Sequence, residues 1–241
     1  MPAEWEPHQA TWLAWPHAIT TWPGCLDEAE REFEFLVRTL ARFERVELVV
    51  QSEAQRAQIQ ARLGEIASGD ALRLHVIETN DVWMRDIGPT FVRGPDGLVA
   101  LDWTFDAWGG KYPPWDRDDA VAARVAELAE VRRERPGIVL EGGAIEVDGE
   151  GTLLATEPTL LDPKRNPGID RGRIEALLLE LLGLLRVLLA QRVEVLVLTL
   201  PFDGRGRVHG DAPVERLGSL AERSLAAILG VALASLGPGS Q

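Results

Sequence analysis

Carboxylate and aromatic side chains lie close together in the segment Asn80–Thr90, which includes Trp83 and Asp86. The segment follows Leu72–Ile77, an apolar run that predicts a β-strand, so these side chains would lie at a strand end, where α/β proteins commonly place functional sites. Carboxylate oxygens can accept the paired N–H groups of a guanidinium while an aromatic ring covers its flat face. The segment therefore indicates a site for a planar cation.

A further carboxylate, Glu141, follows the apolar run Ile138–Leu140, which predicts another strand. Two glycines come next, and glycine allows backbone or a ligand to approach closely because it has no Cβ. The alternative for both acidic residues is ordinary ion pairing, of Asp86 with Arg85 or of Glu141 with Arg135. The residue types alone leave this alternative open.

Three other stretches accompany Asn80–Thr90, namely Met1–Pro7 running into Trp12–His17, Phe105–Tyr112, and Leu140–Ala144 followed by Asp148–Leu154. In this order they resemble motifs of the agmatine deiminases and the related bacterial peptidylarginine deiminases. These guanidine-modifying enzymes have the α/β-propeller (pentein) fold, built from ββαβ modules around a central pore. The resemblance runs from Met1 to about Gly168. It implies hydrolysis of agmatine to carbamoylputrescine and ammonia on the way to putrescine.

The resemblance also implies roles for individual residues. Asp86 and Glu141 would bind the guanidinium through charge-assisted hydrogen bonds, and Trp83 would help to form the pocket wall. Deimination also needs an acid and a nucleophile, which in the family are a His-x-Asp element and a thiolate near the C-terminus. His209 and Asp211 have the His-x-Asp spacing, with a solvated turn as the alternative. A metal site at these two residues lacks a clear third ligand, so we expect no metal and no cofactor.

The sequence contains one cysteine, Cys25, which precedes a predicted helix and lies far from the position of the family's nucleophile. A helix N-terminus can lower the pKa of a thiol, but reactivity also needs a base and a bound electrophile. An incidental cysteine is therefore the favoured interpretation. Two other functions stay open: a catalytically inactive guanidine-binding or interaction protein derived from the family, and a peptidylarginine deiminase. The Met1–Trp5 start is more similar to the branch that acts on small molecules.

Composition restricts the partners and the compartment. The 241 residues carry a net charge of −13, which disfavours nucleic acid and anionic membranes and favours a small cationic substrate such as agmatine. A single cysteine excludes an internal disulfide and fits the reducing cytoplasm. Charged residues interrupt the Leu-rich region Ile174–Leu200, so it does not predict a membrane span. The first residues do not have the pattern of a signal peptide.

Periodicity predicts a mixed α/β chain. The predicted strands are Thr11–Trp15, Arg45–Gln51, Leu72–Ile77, Thr90–Arg93, Leu98–Trp103, Ile138–Leu140, Ala144–Val147, Thr152–Ala155 and Val193–Leu200, and the predicted helices are Asp27–Phe43, Ser52–Ile66, Ala120–Arg133, Arg171–Leu189 and Pro213–Leu236. Residues 1–168 would form the modules that match the family, and residues 169–241 a divergent Leu/Ala-rich part of the same domain. About three modules can be followed, so we expect an incomplete propeller whose exposed strand edges could favour a homo-oligomer.

Overall fold

The computed structural model describes residues 1–190, with only the backbone of Ala190. The predicted strand Val193–Leu200, the predicted helix Pro213–Leu236 and the candidate residues His209 and Asp211 lie outside the described residues. Within residues 1–190 the chain has the predicted α/β character and forms three sheets of three strands each. No helix in this part of the chain is long and apolar enough to cross a membrane.

The first sheet consists of β1 (Ala10–Ala14), β2 (Arg45–Val50) and β3 (Leu72–Val76), which are parallel throughout. Parallel neighbours need crossover connections, and these contain the helices α1 (Leu26–Leu40) and α2 (Glu53–Leu63). The sheet therefore differs from the expected ββαβ unit, since each connection holds a helix.

The predicted capping box at the start of α2 is present. Ser52 Oγ accepts a hydrogen bond from Gln55 N at 3.1 Å, and the Gln55 side chain accepts one from Gln51 N at 2.7 Å. A five-residue 3₁₀ segment, Gly64–Ser68, follows the helix and leads to β3.

The second and third sheets have the predicted ββαβ order. In the second, β4 (Thr90–Gly94) and β5 (Gly97–Leu101) form a hairpin, and β6 (Arg132–Glu134) is parallel to β5 after helix α5 (Val121–Leu128). In the third, β7 (Ile145–Val147) and β8 (Thr152–Thr156) form a hairpin, and β9 (Arg186–Ala190) is parallel to β8. The remaining helical segments are α3 (Met84–Ile87), the turn α4 (Ala107–Gly110), α6 (Glu157–Leu160) and α7 (Arg171–Leu182).

Two predicted helices extend into residues that form strands. The helix predicted at Ala120–Arg133 ends at Leu128, because Glu130 adopts a left-handed backbone (φ 54°) and the chain turns into β6. The helix predicted at Arg171–Leu189 ends at Leu182, where Gly183 caps it in the left-handed conformation and β9 follows. Leucine-rich runs allow both helix and strand, so periodicity did not separate α7 from β9.

The predicted strand Ile138–Leu140 joins none of the three sheets. Its ladder contact is an isolated bridge between Val139 and Thr104. Two backbone hydrogen bonds accompany this bridge, from Thr104 N to Ile138 O at 3.0 Å and from Leu140 N to Thr104 O at 3.3 Å. A side chain completes the pairing: Val139 N donates to Asn166 Oδ1 at 2.9 Å, and Asn166 Nδ2 donates to Val139 O at 3.0 Å. The Asn166 amide thus takes the place of a second neighbouring strand beside the segment that leads to Glu141.

The largest apolar core lies around the third sheet. Ile174, Leu178 and Leu182 of α7 are buried in one apolar cluster together with Leu153 of β8 and Leu101 of the second sheet. Their spacing of four residues places the three side chains on one face of α7. Residues 171–182 therefore pack into the same core as the segments that precede residue 168.

Candidate guanidinium-binding site

Asp86 is positioned by a short helix at the end of the first sheet. After β3 the chain forms α3, whose Met84 and Ile87 are buried and anchor the turn. Asp86 Oδ1 accepts a hydrogen bond from the backbone N–H of Gly143 at 3.0 Å, from a residue 57 positions away. This bond joins the two motifs that contain the predicted carboxylates.

The Gly142–Gly143 pair allows this approach. A Cβ added to Gly143 would lie less than 3.0 Å from Asp86 Oδ1, and one added to Gly142 would lie equally close to the carbonyl oxygen of Arg85. Cβ atoms do not adopt such separations, so a side chain at either position would push the two segments apart. The expectation that these glycines allow another group to come close to the backbone is confirmed, and the group that does so is α3.

Glu141 is buried, with 2% of its surface exposed. The guanidinium of Arg165 contacts its Oε1, and the same Arg165 Nη2 donates to Asp106 Oδ1 at 3.1 Å. Glu141 therefore has an ion-pair partner, but not the Arg135 that the sequence offered. Arg135 pairs with Asp119, with an N–O distance of 2.7 Å.

The other proposed ion pair is also replaced. The guanidinium of Arg85 pairs with Glu4 from the N-terminal motif and not with the neighbouring Asp86. Arg85 Nη2 additionally lies 3.4 Å from the carbonyl oxygen of Ile145. The two ion pairs suggested by the sequence, Asp86 with Arg85 and Glu141 with Arg135, are therefore not formed.

Aromatic rings border the carboxylates. Trp108 packs edge-on against Phe105, Tyr112 and Trp83, with centroid distances of 5.2, 5.8 and 6.5 Å. Trp108 lies in turn α4 with a left-handed backbone (φ 57°), and Asp106 accepts a hydrogen bond from Gly109 N at 2.9 Å across that turn. Trp83 is 44% exposed, so its ring presents a face to solvent beside Trp108. The predicted wall residue thus stands at the rim, next to a more buried indole.

Burial perturbs both carboxylates. It raises the pKa of Asp86 above its ordinary value, against the opposing effects of the Gly143 N–H, the Trp108 side chain and Arg85. Burial also raises the pKa of Glu141, an effect that Arg165 opposes and that the charges of Asp106 and Asp86 reinforce. The two acidic groups therefore influence each other, and a bound cation would favour their ionised forms.

Cys25 is exposed and lies at the N-cap of α1, where its side chain makes no capping hydrogen bond. Three residues of the site had no role predicted from the sequence: Arg165, Asp106 and Asn166. A usable signal existed for Arg165, since three carboxylates in matched motifs call for a compensating cation. Within residues 1–190, no three His, Cys, Asp or Glu side chains are grouped as metal ligands.

Residues 1–194 match the family model described as Porphyromonas-type peptidyl-arginine deiminase. The chain belongs to this family. It is 46% identical over 190 residues to an agmatine deiminase from Ectopseudomonas mendocina, and 43% identical over 189 residues to one from Pseudomonas aeruginosa. Each alignment covers 76% of this chain and 50% of the relative. The chain therefore spans about half the length of the curated relatives that it matches.

Among solved structures, the agmatine deiminase of Enterococcus faecalis aligns with a TM-score of 0.71 and 34% identity, covering 78% of this chain and 52% of that one. The predicted membership of the agmatine and peptidylarginine deiminase family is confirmed, and so is the α/β-propeller fold class. The family model reaches residue 194 and thus includes α7 and β9, beyond Gly168 where the recognised motifs end.

Proposed function

We propose that this chain binds the guanidinium of agmatine through Asp86 and Glu141, beside the rings of Trp83 and Trp108, for hydrolysis to carbamoylputrescine and ammonia. The observation that carries the proposal is the hydrogen bond from Gly143 N to Asp86 Oδ1, which brings two distant carboxylate motifs into one site. Carboxylates beside aromatic rings are suited to a flat, delocalised cation.

The proposed reaction passes through a covalent intermediate, as in the family. A thiolate attacks the guanidinium carbon, the bond from that carbon to one nitrogen breaks, and the nitrogen leaves as ammonia after protonation by an acid. The one thiol of these 241 residues is Cys25, so hydrolysis by this chain requires Cys25 to supply the thiolate. Water then adds to the same carbon and releases the thiolate, so that oxygen replaces nitrogen. We assign the acid and its orienting partner to His209 and Asp211 as a prediction from sequence. The reducing cytoplasm is the compartment that we propose, because a thiolate nucleophile has to stay reduced.

The test measures binding and turnover separately. Agmatine affinity is measured by isothermal titration calorimetry, and carbamoylputrescine is detected by mass spectrometry, for the parent chain and for Asp86→Asn and Glu141→Gln. These variants keep size and remove charge, so we expect each to weaken agmatine binding at least about tenfold. Matched controls are Asp70→Asn and Glu65→Gln, which alter exposed carboxylates between α2 and β3. Unchanged affinity in both site variants would refute the assignment.

A second candidate function is guanidine binding without hydrolysis. The position of Cys25 favours it, because the one thiol of the sequence is exposed at the start of α1 and lies outside the motifs that contain Asp86 and Glu141. Agmatine binding without carbamoylputrescine would support this function. Product that disappears in Cys25→Ser would instead assign the nucleophile to Cys25. Comparison of agmatine with an N-acylarginine amide distinguishes the small-molecule substrate from peptidyl-arginine.

A further inference from the structure

The chain places a guanidinium of its own beside Glu141. Arg165 is buried, with 8% of its surface exposed, although arginine is seldom buried without specific partners. It contacts Glu141 Oε1, donates to Asp106 Oδ1 at 3.1 Å, and donates from Nη1 to the carbonyl oxygen of Thr159 at 3.3 Å. Its partners come from three separate segments, so the side chain is fixed on several sides.

This arrangement restricts how Glu141 can be oriented. The guanidinium of Arg165 donates to Asp106 through both Nε and Nη2, and the same Nη2 contacts Glu141. This two-nitrogen contact fixes the plane of the guanidinium, which a flexible ammonium would not do. Because Arg165 contacts Oε1 of Glu141, a second donor would bind at Oε2. The same Asp106 that binds Arg165 accepts from Gly109 N, in the turn that carries Trp108. One guanidinium thus connects the carboxylate and the aromatic side of the site.

We propose that Arg165 is a positioning residue for guanidine binding, which fixes Glu141 so that Oε2 receives the substrate guanidinium and fixes the turn of Trp108 through Asp106. The inference rests on the proposed function and deepens it. Arg165 itself does not touch the reacting atoms in this scheme, and it acts through Glu141 and Asp106.

The charges around Glu141 give the inference a distinctive pH signature. The groups that face Glu141 are Arg165, which favours its ionised form, and Asp106 and Asp86, which disfavour it. If Arg165 is neutralised, the pKa of Glu141 rises further, so Glu141 becomes protonated at a higher pH. As the pH is lowered, an Arg165 variant without the charge should therefore lose agmatine binding at a higher pH than the parent chain does. A purely structural arginine would not move this profile.

The experiment measures agmatine affinity by calorimetry between about pH 5 and about pH 8 for the parent chain, Arg165→Met and Arg165→Lys. We expect Arg165→Met to bind at least about tenfold more weakly at neutral pH and to lose binding at a higher pH. Arg165→Lys keeps the charge without the fork, so it should have intermediate affinity and an unshifted profile. In a Glu141→Gln background, Arg165→Met should weaken binding less than it does in the parent chain, because only the connection through Asp106 to the Trp108 turn is then left to lose.

Arg62→Met is the matched control. Arg62 of α2 also bridges two carboxylates, Glu30 and Glu34 of α1, and the three residues lie outside the site. The agmatine affinity of this variant should equal that of the parent chain. A parent chain that binds no agmatine overturns the proposed function, and the inference with it. The inference is overturned, and the proposed function is not, if the parent chain binds agmatine and a folded Arg165→Met chain has the same affinity and pH profile. If Arg165→Met does not fold, a folded Arg165→Lys with parental affinity has the same consequence.

Discussion

Replacement of Gly143 by alanine tests whether close approach of two backbone segments creates the site. The backbone of Gly143 is not left-handed, so alanine is compatible with its conformation and the added methyl group is the perturbation. That methyl group would overlap Asp86 Oδ1, which currently accepts from Gly143 N at 3.0 Å. The carboxylate has to move away, and the hydrogen bond is lost.

The magnitude follows from two opposing contributions. A hydrogen bond to a charged acceptor contributes about 1.5 to 3 kcal/mol. Alanine also restricts the unfolded chain more than glycine does, which raises the free energy of unfolding by about 0.4 to 1 kcal/mol. We therefore expect Gly143→Ala to lower the free energy of unfolding by about 1 to 2 kcal/mol, measured by urea denaturation. Because Asp86 no longer holds its position, agmatine affinity should fall about 10-fold to 100-fold in calorimetry.

Two further variants make the result specific. Gly69→Ala adds a methyl group with no atom within 4 Å, so its agmatine affinity should be that of the parent chain. In an Asp86→Ala background the clashing oxygen is absent, so Gly143→Ala should no longer weaken binding or lower stability. If a folded Gly143→Ala chain binds agmatine within about twofold of the parent, the reasoning about close approach is wrong.

Three other changes have expected outcomes. Burial holds the pKa of Asp86 above its ordinary value of 3.8, so the ionised form of Asp86 opposes folding at neutral pH. The Asp86→Asn variant should therefore unfold at a higher urea concentration than the parent chain near neutral pH. This difference should shrink as the pH falls towards 3.8, because Asp86 of the folded parent chain then becomes protonated. Asn166→Ala removes three hydrogen bonds, two to Val139 and one to Leu160 O, and should lower the free energy of unfolding by about 2 to 4 kcal/mol in urea denaturation, together with agmatine affinity. Leu178→Ala, in the core of α7, should lower the unfolding free energy by about 2 to 5 kcal/mol without changing the affinity of the chain that remains folded.

Local patterns predicted the elements that carry the site. The strand Leu72–Ile77, the hairpin after Thr90 and the capping box at Ser52 all depend on contacts between near neighbours in sequence, and all three are confirmed. Their signals are apolar periodicity and turn chemistry, which act over a few residues. The strand that leads to the Asp86 segment was therefore predicted correctly, whereas the short helix α3 that contains Asp86 was not predicted.

The contacts that orient the carboxylates act over longer separations. Arg165 lies 24 positions from Glu141 and 59 from Asp106, and no local pattern pairs them. The sequence offered nearby arginines instead, and both of these have other partners. The error at β9 has a different origin, since a leucine-rich run fits a helix or a buried strand equally well until tertiary packing decides.

The affinity for a cation that we propose depends on local charge and not on the net charge of the chain. Asp106 and Glu141 both pair with Arg165, the charge of Asp86 also acts on Glu141, and burial raises the pKa of Asp86 and Glu141. A second cation between Asp86 and Glu141 would oppose that rise, so agmatine binding should release protons at those pH values at which the free carboxyl groups are partly protonated. Surface carboxylates elsewhere steer a cation only weakly, because salt screens them. High salt should therefore lower the association rate constant of agmatine and leave its dissociation rate constant nearly unchanged.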